Sequence, residues 1–509
     1  MTNKTEQKIE GIINSTRLQY HEKRAALSRE AEDQLSYVRI SQRVAEAMKA
    51  GILHDMNEGH RPYRPRYILP DYHKFLLQGS AYLNLEPPKD FYEAVNALMI
   101  LYRYVPSITG YPVYVGQIDD CLEPFADTVT DDERDKLLRL LLTHIDRTLP
   151  SAFVHMNIGP KDTKVGRLVI KLERELRNTI PNLSLKYDPD ITPDDFAKYA
   201  IDSVLDTIKP YFVNHRLMSG QLGEDYGVVS CYNTLRIGGG AHTLCRINLK
   251  EIAKISENYL DFKQNKLKEA VSALAELTNA KTTYLVEESK YFESSFLATE
   301  GLIDLKKFTT MPAVYGLYEC VEILSGEKMG HTDRASDMAE EIVKLFHQYI
   351  KSEPAVYCDG TGGRHGVHAQ SNIDTDVDIT PGVRIKYGEE PGVLDHIRLS
   401  SRLHKYFDTG CSDIYVFEET AKENLDGMLQ IIKGAIKNDI RILSVNCDST
   451  EFLRITGYLV KKKDMERYFR GESLREDSVV LGAESLYPGH LLDRKVKSLD
   501  GSLDGSISK

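Results

Sequence analysis

Near the C-terminal end a single glycine interrupts an apolar run, Glu451-Phe452-Leu453-Arg454-Ile455-Thr456-Gly457-Tyr458-Leu459-Val460. The residue types allow two roles for Gly457. One is conformational, a strand corner or hairpin where a residue with a Cβ cannot take the backbone angle. The other is chemical. A Cα hydrogen between an amide nitrogen and a carbonyl can be lost as an atom, because the carbon radical left behind delocalises in both directions. Only glycine keeps that centre planar without a side chain striking the amide plane, and glycine also suits a loop threaded through a packed interior.

Other residues gather polar groups at spacings that invite chemistry. The apolar run Tyr111-Pro112-Val113-Tyr114-Val115-Gly116-Gln117-Ile118 leads to Asp119, Asp120 and Cys121, which reads as a strand ending at a pocket rim or as the capped start of a helix. In Ala152 to Pro160, His155 and Asn157 fall on one strand face by alternation, where they line a site or satisfy buried backbone. Cys358 to His368 packs glycines, an arginine and two histidines together. Its spacing matches no closed zinc site, so the expectation is a loop over an active site, with His365 facing it and no bound metal. Gly238-Gly239-Gly240 lacks both the Lys-Ser/Thr of a phosphate loop and the dinucleotide spacing, which predicts close backbone packing instead. Asp374-Thr375-Asp376-Val377-Asp378 lacks the glycine and terminal glutamate of a calcium loop and reads as a solvated acidic turn.

These residues sit among short strand patterns alternating with helices, with no linker-like segment between 60 and 490, so one large α/β unit is expected. Helices are predicted over much of 1–60 and over 91–104, 130–149, 162–177, 193–209, 250–287 and 338–349, with strands near 111–118, 152–160, 183–187 and 309–316. The 509 residues are 41% hydrophobic and 28% charged, ample for a core. A net charge of −11 argues against nucleic acid or anionic membrane as partner. Seven cysteines without a C-x-x-C pair indicate a reduced protein rather than a disulfide framework. With no apolar signal core and no membrane-length run, a cytoplasmic location is expected. The closing Leu-Asp-Gly-Ser repeat of 491–509 reads as a disordered tail.

The run RITGY at 454–458 resembles the glycyl radical motif, and the segments YPVYVGQIDD, FVHMNIGP, SCYNTLRIGGGAHTLCRINL, MPAVYGLYECVEIL and NCDSTEFLRITGYLV look closest to the YjjI-type branch of the glycyl radical enzymes. Two of them also resemble anaerobic ribonucleotide reductase, although only Cys447 is left of that enzyme's zinc ribbon. The resemblance implies a ten-stranded α/β barrel in which a cysteine loop and a glycine loop meet inside. The chain would then divide into a helical segment 1–60, a barrel 61–430, a glycyl radical segment 431–490 and the tail. It further implies a radical stored on Gly457 and relayed by Cys231 to a small-molecule substrate. A separate S-adenosylmethionine-dependent iron-sulfur activase would install the radical, and a homodimer is expected. Eliminating members of the class carry Cys-x-Glu, whereas here position 233 is Asn. Any base must then come from Asp119, Asp120, His155 or His365, with Asn157, Asn233 and Cys121 as further contacts to substrate and Cys121 or Cys358 as a possible second relay thiol. Elimination, dehydration or bond cleavage on a small oxygenated metabolite is the leading expectation. Ribonucleotide-reductase-like or acyltransferase chemistry, or a non-catalytic barrel that binds a partner, are the alternatives.

Overall fold

Along Val154–Ile158 the apolar Val154, Met156 and Ile158 alternate with His155 and Asn157, and along Asn182–Tyr187 Leu183 and Leu185 alternate with Asn182, Ser184 and Lys186. Every one of these residues is buried. The apolar set packs against helix residues such as Leu141, Val165, Val169 and Ile201, so the polar set is left to face inward. A sheet with helices outside and polar side chains inside must hold something polar, and here that is backbone of the chain itself.

The computed structural model describes residues 4–474 apart from 17, 19, 57, 109, 111, 150–152, 370–377, 448, 456 and 473. Thr456, most of the acidic turn at 374–378 and the tail at 491–509 lie outside the described residues. The wall is built from β1 (Leu53–His54), β2 (Val113–Gln117), β3 (Val154–Ile158), β4 (Asn182–Tyr187) and β5 (Tyr211–Asn214), then β6 (Arg246–Asn248), β7 (Ala313–Tyr315), β8 (His368–Ala369), β9 (Asp413–Phe417) and β10 (Ile442–Cys447). Hydrogen bonds order them β1-β6-β7-β8 and β9-β10-β5-β4-β3-β2, and a parallel bridge from His368 to Gly410 joins β8 to the segment entering β9. Neighbours are parallel except at β1/β6 and β5/β10. The ten strands therefore form two sets of five, β1–β5 running one way and β6–β10 the other.

Helices Asp131–Thr148, Lys164–Leu176 and Asp194–Thr207 connect β2 through β5. Thr130 and Glu133 close a reciprocal cap on the first, and Thr163 caps the second. The predicted helix at 338–349 begins earlier, at Asp333, because Thr332 accepts from the Ala335 N–H at 3.2 Å. The predicted 250–287 helix breaks after Lys254, and Asn258 caps a new start. Helix Leu425–Lys437 runs through position 430/431, and β10 beyond it completes the wall.

Two hairpins are not part of the wall. One, Tyr226–Val229 with Asn233–Arg236, lies in the chain between β5 and β6; the other, Phe452–Arg454 with Leu459–Lys461, follows β10. Because β5 and β10 are antiparallel neighbours, the hairpins that follow them start from opposite ends of the wall and run toward each other. The triple glycine serves a third sheet, where Gly239–Ala241 lies between Tyr67–Leu69 and Phe308–Thr309. A Cβ on Gly239 would stand 2.5 Å from the Lys307 carbonyl oxygen, so the requirement there is close backbone approach.

The start of β5 is fixed by a buried ion pair, Lys209 with Glu173, each side chain 1% exposed, and Lys209 Nζ also donates to the Asn178 and Pro181 carbonyls at 2.9 and 3.2 Å. Lys209→Met is expected to destabilise the protein by about 3–5 kcal/mol, since it strands the Glu173 carboxylate in the core. Urea unfolding checks this, with Lys209→Met combined with Glu173→Met recovering most of the loss.

Candidate functional site

The hairpin tips meet at Cys231 and Gly457. A methyl group built on Gly457 would overlap the Cβ and Sγ of Cys231 and lie 2.5 Å from its Cα, so the Gly457 Cα rests against the thiol. Space, therefore, demands glycine at 457. The hydrogen in the position of an L side chain is the one that faces the Cβ and Sγ of Cys231. Both residues are buried.

The inward residues of β3 and β4 hold the cysteine hairpin. Asn157 pairs with Val228 as a strand would, its Nδ2 donating to the carbonyl at 3.0 Å and its Oδ1 accepting from the N–H at 2.8 Å. Ser230 takes a left-handed φ of 63° beside Cys231, and its carbonyl oxygen faces His155 Nδ1 at 2.7 Å and Asn182 Nδ2 at 3.4 Å. A carbonyl only accepts, so His155 carries its proton on Nδ1 and its bare Nε2 accepts from the Ser184 hydroxyl at 2.6 Å. Burial, with the Arg454 charge adding to it, pushes His155 down to about 3.

A pH dependence follows. Because the folded pKa lies below the unfolded value, the stability linked to neutral His155 is present above about pH 6.5 and lost as pH falls toward 3. Lowering pH from 7 to 5 is expected to cost about 2 kcal/mol through this residue. His155→Gln keeps a donor but does not titrate, so its melting temperature is expected to fall less than that of the wild type over the same range.

Among the described residues the strands of the glycine hairpin pair only with each other, and Ile455 N–H donates to the Tyr458 carbonyl at 3.1 Å across its tip. Arg177 bonds Glu451 at 2.5 Å, and Tyr387 donates to the Ile455 carbonyl at 2.8 Å. Tyr211, at the start of β5, donates to the Gly457 carbonyl at 2.5 Å. The buried Arg454 guanidinium donates to the Tyr211 hydroxyl and to the Ile208 carbonyl, and lies 4.1 Å over the Tyr211 ring. On the cysteine side, Gly410 passes so close to the turn that a Cβ there would stand 3.1 Å from the Asn233 Cα, and Tyr232 stacks on His368 at 5.6 Å. Asn233 Nδ2 donates to the Val229 carbonyl at 3.0 Å, while its buried Oδ1 has no hydrogen-bond partner among the described residues.

The remaining residues singled out from sequence stand elsewhere. Asp119 and Cys121 are buried on helix Ile118–Leu122, beyond the end of β2, with Asp120 exposed beside them. Asp119 Oδ2 accepts from the Gly159 N–H at 2.6 Å. Gly159 follows β3 four residues after His155, so this group is about 13 Å along the strand from the level of Ser230. Burial, then Asp120, pushes the Asp119 carboxyl up to about 7, and burial pushes the Cys121 thiol up. Lys186 shares that end of the wall; burial lowers it to about 8, and its ammonium lies 4.2 Å over the Tyr226 ring. His365 bonds the Thr310 hydroxyl through Nδ1 at 2.8 Å, and Cys358 Sγ donates to the same hydroxyl at 3.7 Å, at the entrances to β7 and β8. Among the described residues no group of three or more His, Cys, Asp or Glu is arranged to hold a metal, and no helix is long and apolar enough to cross a membrane.

A sequence model described as glycyl radical enzyme YjjI-like matches residues 18–497. The chain belongs to the YjjI-like glycyl radical enzymes. It is 38% identical over 502 residues to the uncharacterised protein YjjI of Escherichia coli (strain K12), covering 97% of this chain and 96% of that one. It is 37% identical to an uncharacterised protein of Haemophilus influenzae, covering 96% and 97%. Solved structures with the same fold include the glycerol-bound B12-independent glycerol dehydratase of Clostridium butyricum, at TM-score 0.70 and 11% identity over 95% of this chain and 88% of that one. The anaerobic ribonucleotide reductase of Thermotoga maritima matches at TM-score 0.70 and 13% identity over 91% and 93%. The YjjI-like chain thus has the α/β barrel of glycyl radical enzymes, a class defined by a radical on a glycine of the chain itself.

Two site residues of this YjjI-like enzyme carry no signal in the sequence. Tyr211 lies in an ordinary strand pattern, and Ser230 looks like a small neighbour of Cys231. Arg454 is visible as part of RITGY, but its target is not.

Proposed function

We propose that Gly457 stores the radical and that Cys231 relays it to a carbon of a small oxygenated metabolite, which then eliminates a group or cleaves a bond. The observation that carries this reading is the contact between the Gly457 Cα and the Cys231 thiol, made by two hairpins from opposite ends of the wall. Hydrogen transfer needs the reacting atoms in contact before reaction, and the buried tips provide that orientation together with exclusion of water.

In the first step an S-adenosylmethionine-dependent activase removes one hydrogen atom from the Gly457 Cα. The glycine hairpin can present itself because its ladder closes within the hairpin, leaving side-chain bonds to be broken rather than a sheet. Back inside, the Gly457 radical takes the hydrogen atom of the Cys231 S–H, so that a C–H bond forms, an S–H bond breaks and the unpaired electron moves to sulfur. The thiyl next takes a hydrogen atom from substrate, and after rearrangement the product radical takes it back.

Asn233 stands two residues beyond the thiyl, its Oδ1 without a hydrogen-bond partner among the described residues. An amide oxygen orients a substrate hydroxyl by accepting from it but does not take up its proton, so Asn233 serves as an orienting group. Both His155 nitrogens are occupied, Nδ1 by the Ser230 carbonyl of the hairpin and Nε2 by the Ser184 hydroxyl of β4, and Asp119 is at the far end of β2, which supports a reaction whose leaving group departs without a carboxylate base beside the sulfur. Asn233→Ala is expected to lower kcat/KM about tenfold to a hundredfold, the scale of one lost hydrogen bond in a dry site, with radical content unchanged.

The direct test is anaerobic incubation with reduced activase and S-adenosylmethionine, followed by electron paramagnetic resonance. A doublet assigned to Gly457, with oxygen cutting the chain at that residue, is the expected result. Silence with several competent activases would favour a barrel that binds a partner instead.

A further inference from the structure

We infer that the Tyr211 hydroxyl, braced by Arg454, sets how strongly the radical is held on Gly457 and so how readily it passes to Cys231. The inference rests on the assignment of Gly457 as the radical residue. Tyr211 reaches the one atom of the glycyl unit, apart from Cα and nitrogen, over which the unpaired electron spreads: its O–H donates to the Gly457 carbonyl oxygen at 2.5 Å.

The Tyr211 bond differs in strength between two states of the glycyl unit. In the closed-shell peptide the carbonyl oxygen is an ordinary acceptor. In the radical, the amide nitrogen pushes electron density through Cα onto that oxygen, and a donor already aimed at it gains strength. Preorganised donors in a water-excluded site act most on the state that develops charge. Here the donor is stronger than a lone phenol, because the Arg454 guanidinium donates to the same phenol oxygen and its charge polarises the O–H. The geometry is over-determined. Arg454 is fully buried and is tied also to the Ile208 carbonyl; its guanidinium lies 4.1 Å over the Tyr211 ring, and His155 stacks on that ring at 5.7 Å with planes 17° apart. His155 in turn holds the Ser230 carbonyl next to Cys231. Tyr211 therefore contacts the glycyl unit directly and the cysteine turn through one intervening ring.

The exchange concerned is Gly457 radical plus Cys231 S–H giving Gly457 C–H plus Cys231 thiyl, one hydrogen atom moving with nothing else gained or lost. A bond that is stronger in the radical displaces this equilibrium toward glycine. Removing it makes the resting radical less persistent and the thiyl more populated. The same hydrogen bond is broken when the hairpin leaves for activation and is remade on return, so it also favours the loaded hairpin over the unloaded one inside the barrel.

The test uses the full chain with its activase. Tyr211→Phe keeps the ring and its stacking and removes the hydroxyl, both as donor to the Gly457 carbonyl and as acceptor from Arg454. Relative to wild type it is expected to show about a tenfold shorter radical lifetime against an added thiol, with a changed g anisotropy and doublet splitting because spin leaves the carbonyl oxygen. A role confined to holding the hairpin would not move the line shape of the radical that does form. As a graded second measurement, fluorotyrosines placed at 211 make the hydroxyl a progressively stronger donor, and radical lifetime is expected to rise with fluorination. Wild-type radical with unchanged line shape and lifetime in both Tyr211→Phe and the fluorotyrosine series would overturn this inference and leave the radical assignment standing. No radical on Gly457 in the wild type would overturn the assignment itself.

Discussion

Gly457→Ala is expected to leave a protein that carries no radical and turns over no substrate, at least about a thousandfold below wild type, the scale on which residues acting as one unit fail together. Two causes act in the same direction. An alanyl radical cannot flatten at Cα without its methyl meeting the neighbouring amide, so the centre loses the delocalisation that makes it persistent. The methyl also has no room: it would overlap the Cβ and Sγ of Cys231, and neither hairpin tip is the free end of a flexible side chain. Overpacking of that kind costs about 1–3 kcal/mol, and the glycine hairpin is the part expected to yield, since its ladder is its own. Electron paramagnetic resonance and a thermal melt separate the two effects: the spectrum is expected to be silent, and the melting temperature only slightly lowered. A radical doublet with normal turnover in this variant would end the proposed mechanism.

Cys231→Ser is expected to separate storage from relay. Serine is smaller and fits the turn, and the His155 and Asn182 bonds go to the Ser230 carbonyl rather than to the side chain at 231. The hairpin should keep its place, and Gly457 should accept its radical at the wild-type level. The O–H bond of serine is too strong to surrender its hydrogen to a glycyl radical, so no hydrogen is drawn from substrate and turnover falls below detection. Spin counting alongside product analysis checks both halves. Product from Cys231→Ser would move the relay to another thiol, and Cys358 and Cys121 are the ones to change next.

Why some of this was legible in the chain and some was not comes down to the range of the interactions. Alternation placed His155 and Asn157 on one face of a strand, and that face does point inward. It could not say that both side chains are spent on the backbone of the cysteine hairpin, because Val228 and Ser230 lie 71 and 75 residues away. The strand into Asp119 and Cys121 was equally legible, yet its direction in the wall is a property of pairing, and that direction carries these residues away from the hairpin tip. Tyr211 gave no signal, since a tyrosine in an apolar strand is ordinary until the atom it bonds is known.

The class of chemistry was legible through a resemblance, RITGY at 454–458 to the glycyl radical motif, while residue types alone left two roles open for Gly457 and strand and helix periods indicated one α/β unit. The motif is a local run of residues, and the strands and helices follow from spacings of two and 3.6. The folded chain adds that the Gly457 Cα rests against Cys231, that Asn233 Oδ1 has no hydrogen-bond partner among the described residues, and that Tyr211, braced by Arg454, bonds the glycyl carbonyl. The reason is the antiparallel junction between β5 and β10: it sends the two hairpins inward from opposite ends, and no period along the chain records which ends will meet.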